Sequence, residues 1–415
     1  MRVAFNRISI LVVSAVFCII FSAVQPVFAA EPINIGVIGF SSPAPGKSIF
    51  DAANLAAEEI NAKGGIDGRP VKLFEYDDHG KSADAVEAFQ RAVYNDHVVA
   101  VVGVWISEVA LALEPWASRL HMPFITTGSA ATGISALVHD NYDAYKYNFQ
   151  LQLNSDQLAE SVADFLRDDV VKKLGYKRAF IVSENFAWTQ SLDDSYMKYL
   201  PGAGIEIVGH LRFAPDTNDF TPIFSTVEQQ HPDIVVTGWA HVGVKPTVQW
   251  HEQQVPFLLA GINAQATTSA FWDATNGATE GVIGQDETSE APITPKTLPF
   301  VKVYRERYGI SPAYCGYNTY DAMYLLKSAL ELAHSTKSDA LVTALEKTDY
   351  TGVQGRIMFL GKDSPFTHSI RYGPDYVLGT QTQWQNGKLV TIWPKRAATG
   401  SLIVPDFVKH KSAAK

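Results

Sequence analysis

The sequence predicts an α/β protein with two lobes, each a doubly wound parallel sheet covered by helices on both faces. Short apolar strands alternate with helical patterns of about ten to fifteen residues, and this alternation is typical of parallel sheets. It begins at residue 33 and restarts near residue 155, which indicates two sheets. A chain of 415 residues also exceeds what one hydrophobic core usually serves, so two lobes are expected.

The first run of the alternation has four strands and three helices. The helical pattern that starts at Phe50 stops at Lys63-Gly64-Gly65, a cation followed by two residues that tolerate positive φ. The strand that ends at Gly103 is almost wholly apolar, as expected for burial on both faces. In order, the elements are strand Ile33–Gly39, helix Phe50–Ala62, strand Val71–Tyr76, helix Ser82–Asn95, strand Val98–Gly103, helix Glu108–Leu120 and strand Pro123–Thr126.

The second run repeats this rhythm, and a third segment from about residue 284 is dominated by long helices. No low-complexity linker separates the runs, so the chain is expected to cross between lobes on short ordered segments, as a hinge requires. The second run is helix Asp156–Val171, strand Arg178–Val182, helix Ser191–Leu200, strand Ile205–Leu211, helix Phe220–Gln230, strand Asp233–Thr237, helix Val244–Gln254 and strand Pro256–Ala260. The third segment has helices Pro299–Tyr308, Tyr314–Ala333 and Asp339–Glu346, then extended stretches Arg356–Phe359, Tyr376–Gln383 and Lys388–Ile392.

The first 29 residues have the pattern of a secretory signal peptide. Arg2 and Arg7 precede the uncharged stretch Ile8–Val24, and small residues follow, with Val27 and Ala29 suited to the −3 and −1 positions of a cleavage site. A membrane anchor is the alternative, because the apolar run is close to spanning length. The small-residue exit favours cleavage after Ala29, and the mature protein is expected in the periplasm.

Charge and cysteine content narrow the range of partners. Removal of the signal peptide takes away two positive charges and no negative one, so the formal net charge falls from −9 to −11. An acidic chain without a basic cluster is not expected to bind nucleic acid or an anionic membrane surface. Only Cys315 stays in the mature chain, so no internal disulfide can form.

The stretch Glu59–Leu73, with its glycine pair, resembles the leucine/isoleucine/valine-binding protein family of type I periplasmic binding proteins. Further matches are Ile35-Gly36-Val37, Val102-Gly103 before Trp105-Ile106-Ser107, Tyr320-Asp321-Ala322 and Gly352–Phe359. The resemblance covers essentially the whole mature chain.

This resemblance implies two Rossmann-like lobes joined by a three-crossover hinge, with a ligand in the cleft between them. It further implies delivery of the ligand to an ABC permease and ATPase complex in the inner membrane. The protein is expected to be a monomer with no cofactor and no metal. The predicted lobes are residues 30–149 with 284–360, and residues 150–283 with 361–400, followed by a tail at 401–415.

The ligand is expected beyond the carboxyl ends of the strands, where helix N-termini offer N–H groups and partial positive charge to a carboxylate. Ser107 follows a strand and starts a helix, and the resemblance implies that its hydroxyl binds the ligand carboxylate; a helix N-cap is the compatible alternative. Gly128, Ser129 and Ala130 match the small-residue loop that holds the same carboxylate in the family, with Ser129 as the expected hydroxyl donor. A tight turn is the alternative there.

Aromatic side chains are expected to close over the ligand. Trp188 and Trp239 lie in second-lobe loops where the family commonly has aromatic residues, and Trp105 and Phe50 are weaker candidates for the opposite wall. Tryptophan is also a common core anchor, and that alternative stays open for both second-lobe residues.

One loop departs from the family pattern. The family's amino-acid binders place an acid after the fourth strand of the second lobe to meet the ligand's ammonium, but this chain has Asn263 in that loop. An amide does not neutralise a buried charge, which is costly to leave unpaired. The expected ligand is therefore a carboxylate with a bulky apolar or aromatic body and no ammonium. A branched-chain or hydrophobic amino acid stays open, because Glu108, Glu184 or Asp321 could supply the acid.

No catalytic constellation is visible in the sequence. The nucleophile elbow Gly-x-Ser-x-Gly and the zinc pattern His-Glu-x-x-His are both absent, and Gly46-Lys47-Ser48 lacks the earlier glycine of a phosphate loop. A binding protein is therefore predicted, not an enzyme. A ligand-sensing module for a membrane receptor or kinase would use the same fold and stays open.

Overall fold

The computed structural model describes residues 31–42 and 44–408, and these form two lobes that each contain a parallel sheet. The two-lobed α/β fold predicted from the alternation is confirmed. The predicted signal peptide at 1–29 and the end of the predicted tail, 409–415, lie outside the described residues. Within the described part of the chain, no helix is long and apolar enough to cross a membrane.

The first lobe is built on a five-stranded parallel sheet in the order β2-β1-β3-β4-β5. Its strands are β1 (Ile33–Gly39), β2 (Val71–Asp77), β3 (Ala100–Gly103), β4 (Phe124–Thr126) and β5 (Asn148–Gln150). Every residue of β3 is buried, as its continuous apolar run predicted. The edge strand β5 was not predicted, because a three-residue strand with polar ends carries no periodic signal.

The helices of this part lie on both faces of that sheet. They are α1 (Ala44–Ala62), α2 (Ser82–Tyr94), α3 (Ser107–Leu120), α4 (Gly133–Asp140) and α5 (Tyr142–Tyr145). Helix α1 begins six residues earlier than its apolar pattern indicated. Pro45 is tolerated in its first turn, because the N–H that proline lacks would have no intrahelical partner there.

The second lobe has a four-stranded parallel sheet in the order β7-β6-β8-β9. Its strands are β6 (Arg178–Glu184), β7 (Glu206–Phe213), β8 (Ile234–Trp239) and β9 (Leu258–Asn263). Its helices are α6 (Ser155–Phe165), α7 (Lys172–Leu174), α8 (Ala187–Tyr199), α9 (Thr221–Glu228) and α10 (Val244–Glu252), with a π-helical turn at Leu166–Val171 and a 3-10 turn at Pro201–Ala203. Strands β8 and β9 end two and three residues later than predicted, which changes where their last side chains point.

The last third of the chain contributes to both lobes. Helix α13 packs against α1 and β3 of the first lobe, whereas β10 pairs antiparallel with β13 in a three-stranded sheet beside β9. The elements are α11 (Phe271–Ala274), β10 (Ile283–Asp286), α12 (Thr297–Tyr308), α13 (Tyr314–Ala333), α14 (Ser338–Leu345), β11 (Tyr350–Thr351), β12 (Arg356–Ile357), β13 (Thr380–Gln385) and β14 (Lys388–Trp393). The chain thus crosses between lobes after β5, after β10 and before β13, while the residue boundaries given above for each lobe stay a prediction.

Candidate ligand-binding site

A cavity lies between the lobes, at the carboxyl ends of β3 and β4 on one side and of β8 and β9 on the other. It encloses about 480 Å³, its mouth included. This is where open parallel sheets bind ligands, because strand ends and helix N-termini converge there.

Ser107 lines this cavity as the first residue of α3. Its Oγ accepts hydrogen bonds from the N–H groups of Ala130 and Ala131, each at 3.2 Å, so the hydroxyl proton is left to donate. The N-cap position belongs to Ile106, whose side chain makes no capping bond, which corrects the expectation that Ser107 caps its own helix. The N-terminus of α3 therefore adds its partial positive charge next to a free hydroxyl donor.

Gly128 and Ala130 also line the cavity, but Ser129 between them does not. A β-carbon at Gly128 would lie 2.7 Å from Cys315 Sγ, so the loop needs glycine there. The fully buried Ser129 donates its hydroxyl to the carbonyl of Val104 at 3.2 Å. Since Val104 has a positive φ of 67°, this bond helps to hold a strained backbone. The expectation that Ser129 offers its hydroxyl to the ligand is corrected.

The aromatic wall of the first lobe consists of Trp105 and Tyr314. Trp105 Nε1 donates to the Tyr314 hydroxyl at 2.7 Å, and that hydroxyl donates to the Gly128 carbonyl at 3.2 Å. Phe50 does not line the cavity: it is only 9% exposed and packs in the first-lobe core beside Gly39. Trp105 thus lies at the cavity as expected, whereas the expectation that Phe50 forms part of its wall is wrong.

The two second-lobe tryptophans have different environments. Trp188, the second residue of α8, lines the cavity and donates from Nε1 to Glu184 at 3.3 Å. Trp239 is the last residue of β8 and is fully buried, with Nε1 donating to the carbonyl of Val182 at 2.9 Å and its ring packed on Phe213. Trp239 is therefore a core anchor, and the expectation that it contacts the ligand is corrected.

His241, which was not predicted as a site residue, is the aromatic residue that the segment after β8 places at the cavity. Its ring stacks on Phe186 at 4.1 Å and lies 4.8 Å from the ring of Trp105 across the cleft. The sequence feature that could have identified it is a polar aromatic residue two positions beyond the end of a strand.

The expectation that Asn263 contacts the ligand is also wrong, because its side chain points away from the cavity. Ile262 and Ala264 line the cavity, and successive residues of an extended strand point to opposite sides. The Asn263 side chain is buried on the other side, where its Oδ1 accepts from the N–H of Ala266 at 3.2 Å.

Two carboxyl groups that were not predicted as site residues line the same cavity. Asp286 ends β10 and Glu287 begins the crossover that follows. Both are buried; Glu287 Oε1 accepts from Gln152 Nε2, and Asp286 Oδ1 accepts from the N–H of Glu287 at 2.8 Å. The sequence feature that indicates this position is the polar run 285–289, which directly follows the apolar residues 282–284. The same pattern, polar residues after an apolar strand, marks the other loops at the cavity.

The two carboxyl groups make the cavity suited to a cation. Burial raises the pKa of Asp286, and burial together with the charge of Asp286 raises the pKa of Glu287 well above its usual range. No Lys or Arg lies among the described residues that line the cavity. Since a buried carboxylate without a cation is costly, the pair either shares a proton or accepts a positive group from a ligand.

The three acids considered from the sequence as partners of an ammonium are engaged elsewhere. Glu108 Oε1 accepts from the N–H of Ala187 at 2.8 Å, a bond that joins the two lobes. Asp321 is buried, and its Oδ1 accepts a hydrogen bond from the backbone N–H of Val353 at 2.9 Å. Glu184 lies behind the second-lobe wall and is fully buried. None of these three acids lines the cavity, whereas Asp286 and Glu287 do.

Comparison with known proteins gives a consistent family. A family model described as periplasmic binding protein matches residues 32–373. Leu/Ile/Val-binding protein BraC3 of Rhizobium johnstonii is 26% identical over 372 residues, which cover 87% of this chain and 94% of that protein. Leu/Ile/Val-binding protein homolog 7 of Brucella abortus is 24% identical over 393 residues, or 91% and 95% of the two chains.

Solved structures share the fold at lower identity. A putative branched-chain amino acid ABC transporter protein from Silicibacter pomeroyi superposes with a TM-score of 0.78 at 20% identity, covering 91% of this chain and all (100%) of that one. A solute-binding protein of an ABC transporter from R. palustris, in complex with benzoate, gives a TM-score of 0.73 at 16% identity and covers 91% and 99%. Both have the two-lobed architecture described above.

Proposed function

The chain belongs to the periplasmic binding protein family, and on that premise we propose that it is the solute-binding protein of an ABC-type uptake transporter. It captures a small carboxylate-bearing ligand in the cavity between its lobes and delivers it to the permease. The ligand class that the site favours is an α-amino acid with an apolar or aromatic side chain.

The observation that carries this proposal is that one cavity offers both an anion-binding and a cation-binding group. The Ser107 hydroxyl and the uncapped N-terminus of α3 suit a carboxylate. Glu287 and Asp286 suit an ammonium, and no Lys or Arg side chain lines the cavity among the described residues. A zwitterion satisfies both groups at once, whereas a simple anion leaves the acids without a positive partner.

The remaining wall favours an apolar body on the ligand. Leu158 and Ile262 contribute aliphatic surface, and Trp105 and Trp188 contribute aromatic faces. Stacking on such rings adds about 0.5–1.5 kcal/mol beyond the burial of apolar area. The curated relatives are named as Leu/Ile/Val-binding proteins, which supports a hydrophobic amino acid.

An apolar or aromatic carboxylate without an amine is the second candidate, and the raised pKa of Glu287 is what favours it. A protonated carboxyl group donates a hydrogen bond, so the acid pair can also face a neutral or anionic ligand group. The two candidates differ in one chemical group, which makes them separable by matched ligands.

The proposed role is binding without chemical conversion. Gln152 and Glu287 of the cavity are hydrogen-bonded to each other, and no group of three or more His, Cys, Asp or Glu in the described part of the chain is arranged to hold a metal ion. We place the mature protein in the periplasm as a monomer, after export by the signal peptide predicted at residues 1–29. The permease and ATPase are its partners, and sensing for a membrane receptor is the alternative use of the same cavity.

A ligand screen tests this proposal. Amino acids, aromatic acids, dicarboxylates and amides are each added in a thermal-shift assay, and a hydrophobic or aromatic amino acid is expected to raise the melting temperature, because a ligand at about 100 times its Kd stabilises by about 2.7 kcal/mol. Small-angle scattering of the same protein is expected to show a smaller radius of gyration with ligand, as two lobes close. A radius that is unchanged at saturation would argue against lobe closure, and a screen without any stabilising compound would argue against the ligand class.

A further inference from the structure

The His241 ring has a defined hydrogen-bonding state. Its Nδ1 lies 2.7 Å from Glu184 Oε1, and the same carboxyl group accepts from the backbone N–H groups of His241 and Val242 at 2.9 and 3.2 Å and from Trp188 Nε1 at 3.3 Å. The other three partners of this carboxyl group are N–H donors, as expected for a carboxylate, so we assign the ring proton of His241 to Nδ1. In the neutral imidazole the other nitrogen, Nε2, is then an acceptor.

The His241 ring packs against aromatic rings of both lobes. The ring is stacked on Phe186 of its own lobe at 4.1 Å and lies 4.8 Å from Trp105 of the first lobe. Nε2 is buried and has no hydrogen-bond partner among the described residues. A buried acceptor without a partner costs free energy, and a ligand donor at this place would recover it.

The surrounding wall shows why this nitrogen matters for selectivity. From β8, β9 and the segments after them, the other cavity-lining residues are Ala240, Ile262 and Ala264, which have no polar side-chain atoms. Trp188 from α8 has one polar atom, and it already donates to Glu184. On this side of the cavity, His241 is therefore the lining side chain that carries a polar atom, Nε2, without a hydrogen-bond partner among the described residues.

We propose that His241 is a specificity-determining residue that accepts a hydrogen bond from a hydroxyl or N–H group on the ligand's apolar body. The inference rests on the proposed function and adds a feature to it, namely that the ligand body carries a donor. Glu184 acts as a positioning residue, because it holds the Nδ1 proton and leaves Nε2 free to accept. A hydroxylated aromatic ligand then binds more tightly than its plain counterpart, since the plain compound buries Nε2 unpaired.

Calorimetry with ring isomers tests the inference directly. The probes are phenylalanine and its 2-, 3- and 4-hydroxy derivatives, and in parallel 3-phenylpropanoate and its three hydroxy derivatives, so that the result does not depend on the amine. At least one hydroxy isomer is expected to bind about tenfold or more tightly than the plain compound, the effect expected when a buried acceptor gains a partner. His241→Phe keeps an aromatic ring between Phe186 and Trp105 and is expected to abolish this preference.

Two further measurements separate recognition from folding. His210→Phe removes another histidine of the second lobe, one that contacts Asp193 at 2.9 Å and does not line the cavity, and it should leave the hydroxyl preference intact. In wild-type protein, the 15N spectrum of His241 should show the Nδ1–H tautomer and a shift of Nε2 with the preferred hydroxy isomer only. Equal binding of plain and hydroxylated compounds by the wild type, or an Nε2–H tautomer, overturns the inference and leaves the transport function standing. Absence of binding in both series overturns the inference and the proposed ligand class together.

Discussion

Replacing Glu287 with glutamine is expected to weaken the binding of amine-bearing ligands by about 2–5 kcal/mol, the cost of removing one partner from a buried, hydrogen-bonded charge pair. The affinity for the amine-free analogue should change far less, so the variant should no longer prefer the amino acid to its amine-free analogue. The glutamine oxygen can still accept from Gln152, which keeps the local geometry. The melting temperature without ligand should not fall, because the change removes a buried ionisable group that lacks a cation. Titration calorimetry on both ligands, with a melting curve for each protein, measures these effects.

Glu290→Gln is the matched control, since it alters a carboxyl group three positions along the same crossover. The Glu290 side chain is 38% exposed, pairs with Arg305 and does not line the ligand cavity. Affinity should be unchanged in this variant. If Glu287→Gln binds amino acids as the wild type does, the acid pair does not hold the ligand's ammonium.

Ser107→Ala is expected to reduce both affinity and stability. Loss of a hydrogen bond to a charged carboxylate should weaken binding by about 1.5–3 kcal/mol. The same change leaves the N–H groups of Ala130 and Ala131 without the Oγ that they donate to, so the free energy of unfolding should fall by about 1–3 kcal/mol. Calorimetry gives the first quantity and denaturant unfolding without ligand gives the second.

Ser129→Ala provides the comparison for that prediction, because it removes a buried hydroxyl from the same region. Its partner is the Val104 carbonyl, outside the cavity. Stability should fall by about 1 kcal/mol, the usual contribution of one hydrogen bond, while affinity stays as in the wild type. If both serine variants lose stability and neither loses affinity, Ser107 supports the loop and does not bind the ligand.

The elements of the fold were predictable because their signals are local. Strand Ile33–Gly39 and helix Tyr314–Ala333 have the predicted bounds, since an apolar run and a helical period are both visible within one segment. The pairing of β10 with β13 was not predictable in this way, because it joins residues far apart in the sequence. That pairing places Asp286 and Glu287 at the cavity, so the most consequential part of the site was missed.

The predictions that Trp239 and Asn263 contact the ligand were wrong for one physical reason. Strand β8 continues through Trp239 and β9 through Asn263, where loops were expected from residues 238 and 261. Within a strand, side chains alternate between faces, so a boundary error of two or three residues decides which side chain reaches the ligand. Ser107 and Trp188 reach the cavity as expected, since each lies at the start of a helix that follows a strand.

Matched-pair titration of the wild-type protein measures most directly whether the cavity takes a zwitterion. The pairs are leucine against 4-methylpentanoate and phenylalanine against 3-phenylpropanoate, each differing by the ammonium group alone. An acid pair that meets the ammonium predicts one-to-one binding in which at least one amino acid is favoured over its analogue by about 2 kcal/mol or more. Equal or tighter binding of the amine-free acids in both pairs would contradict that prediction and assign the cavity to apolar carboxylates.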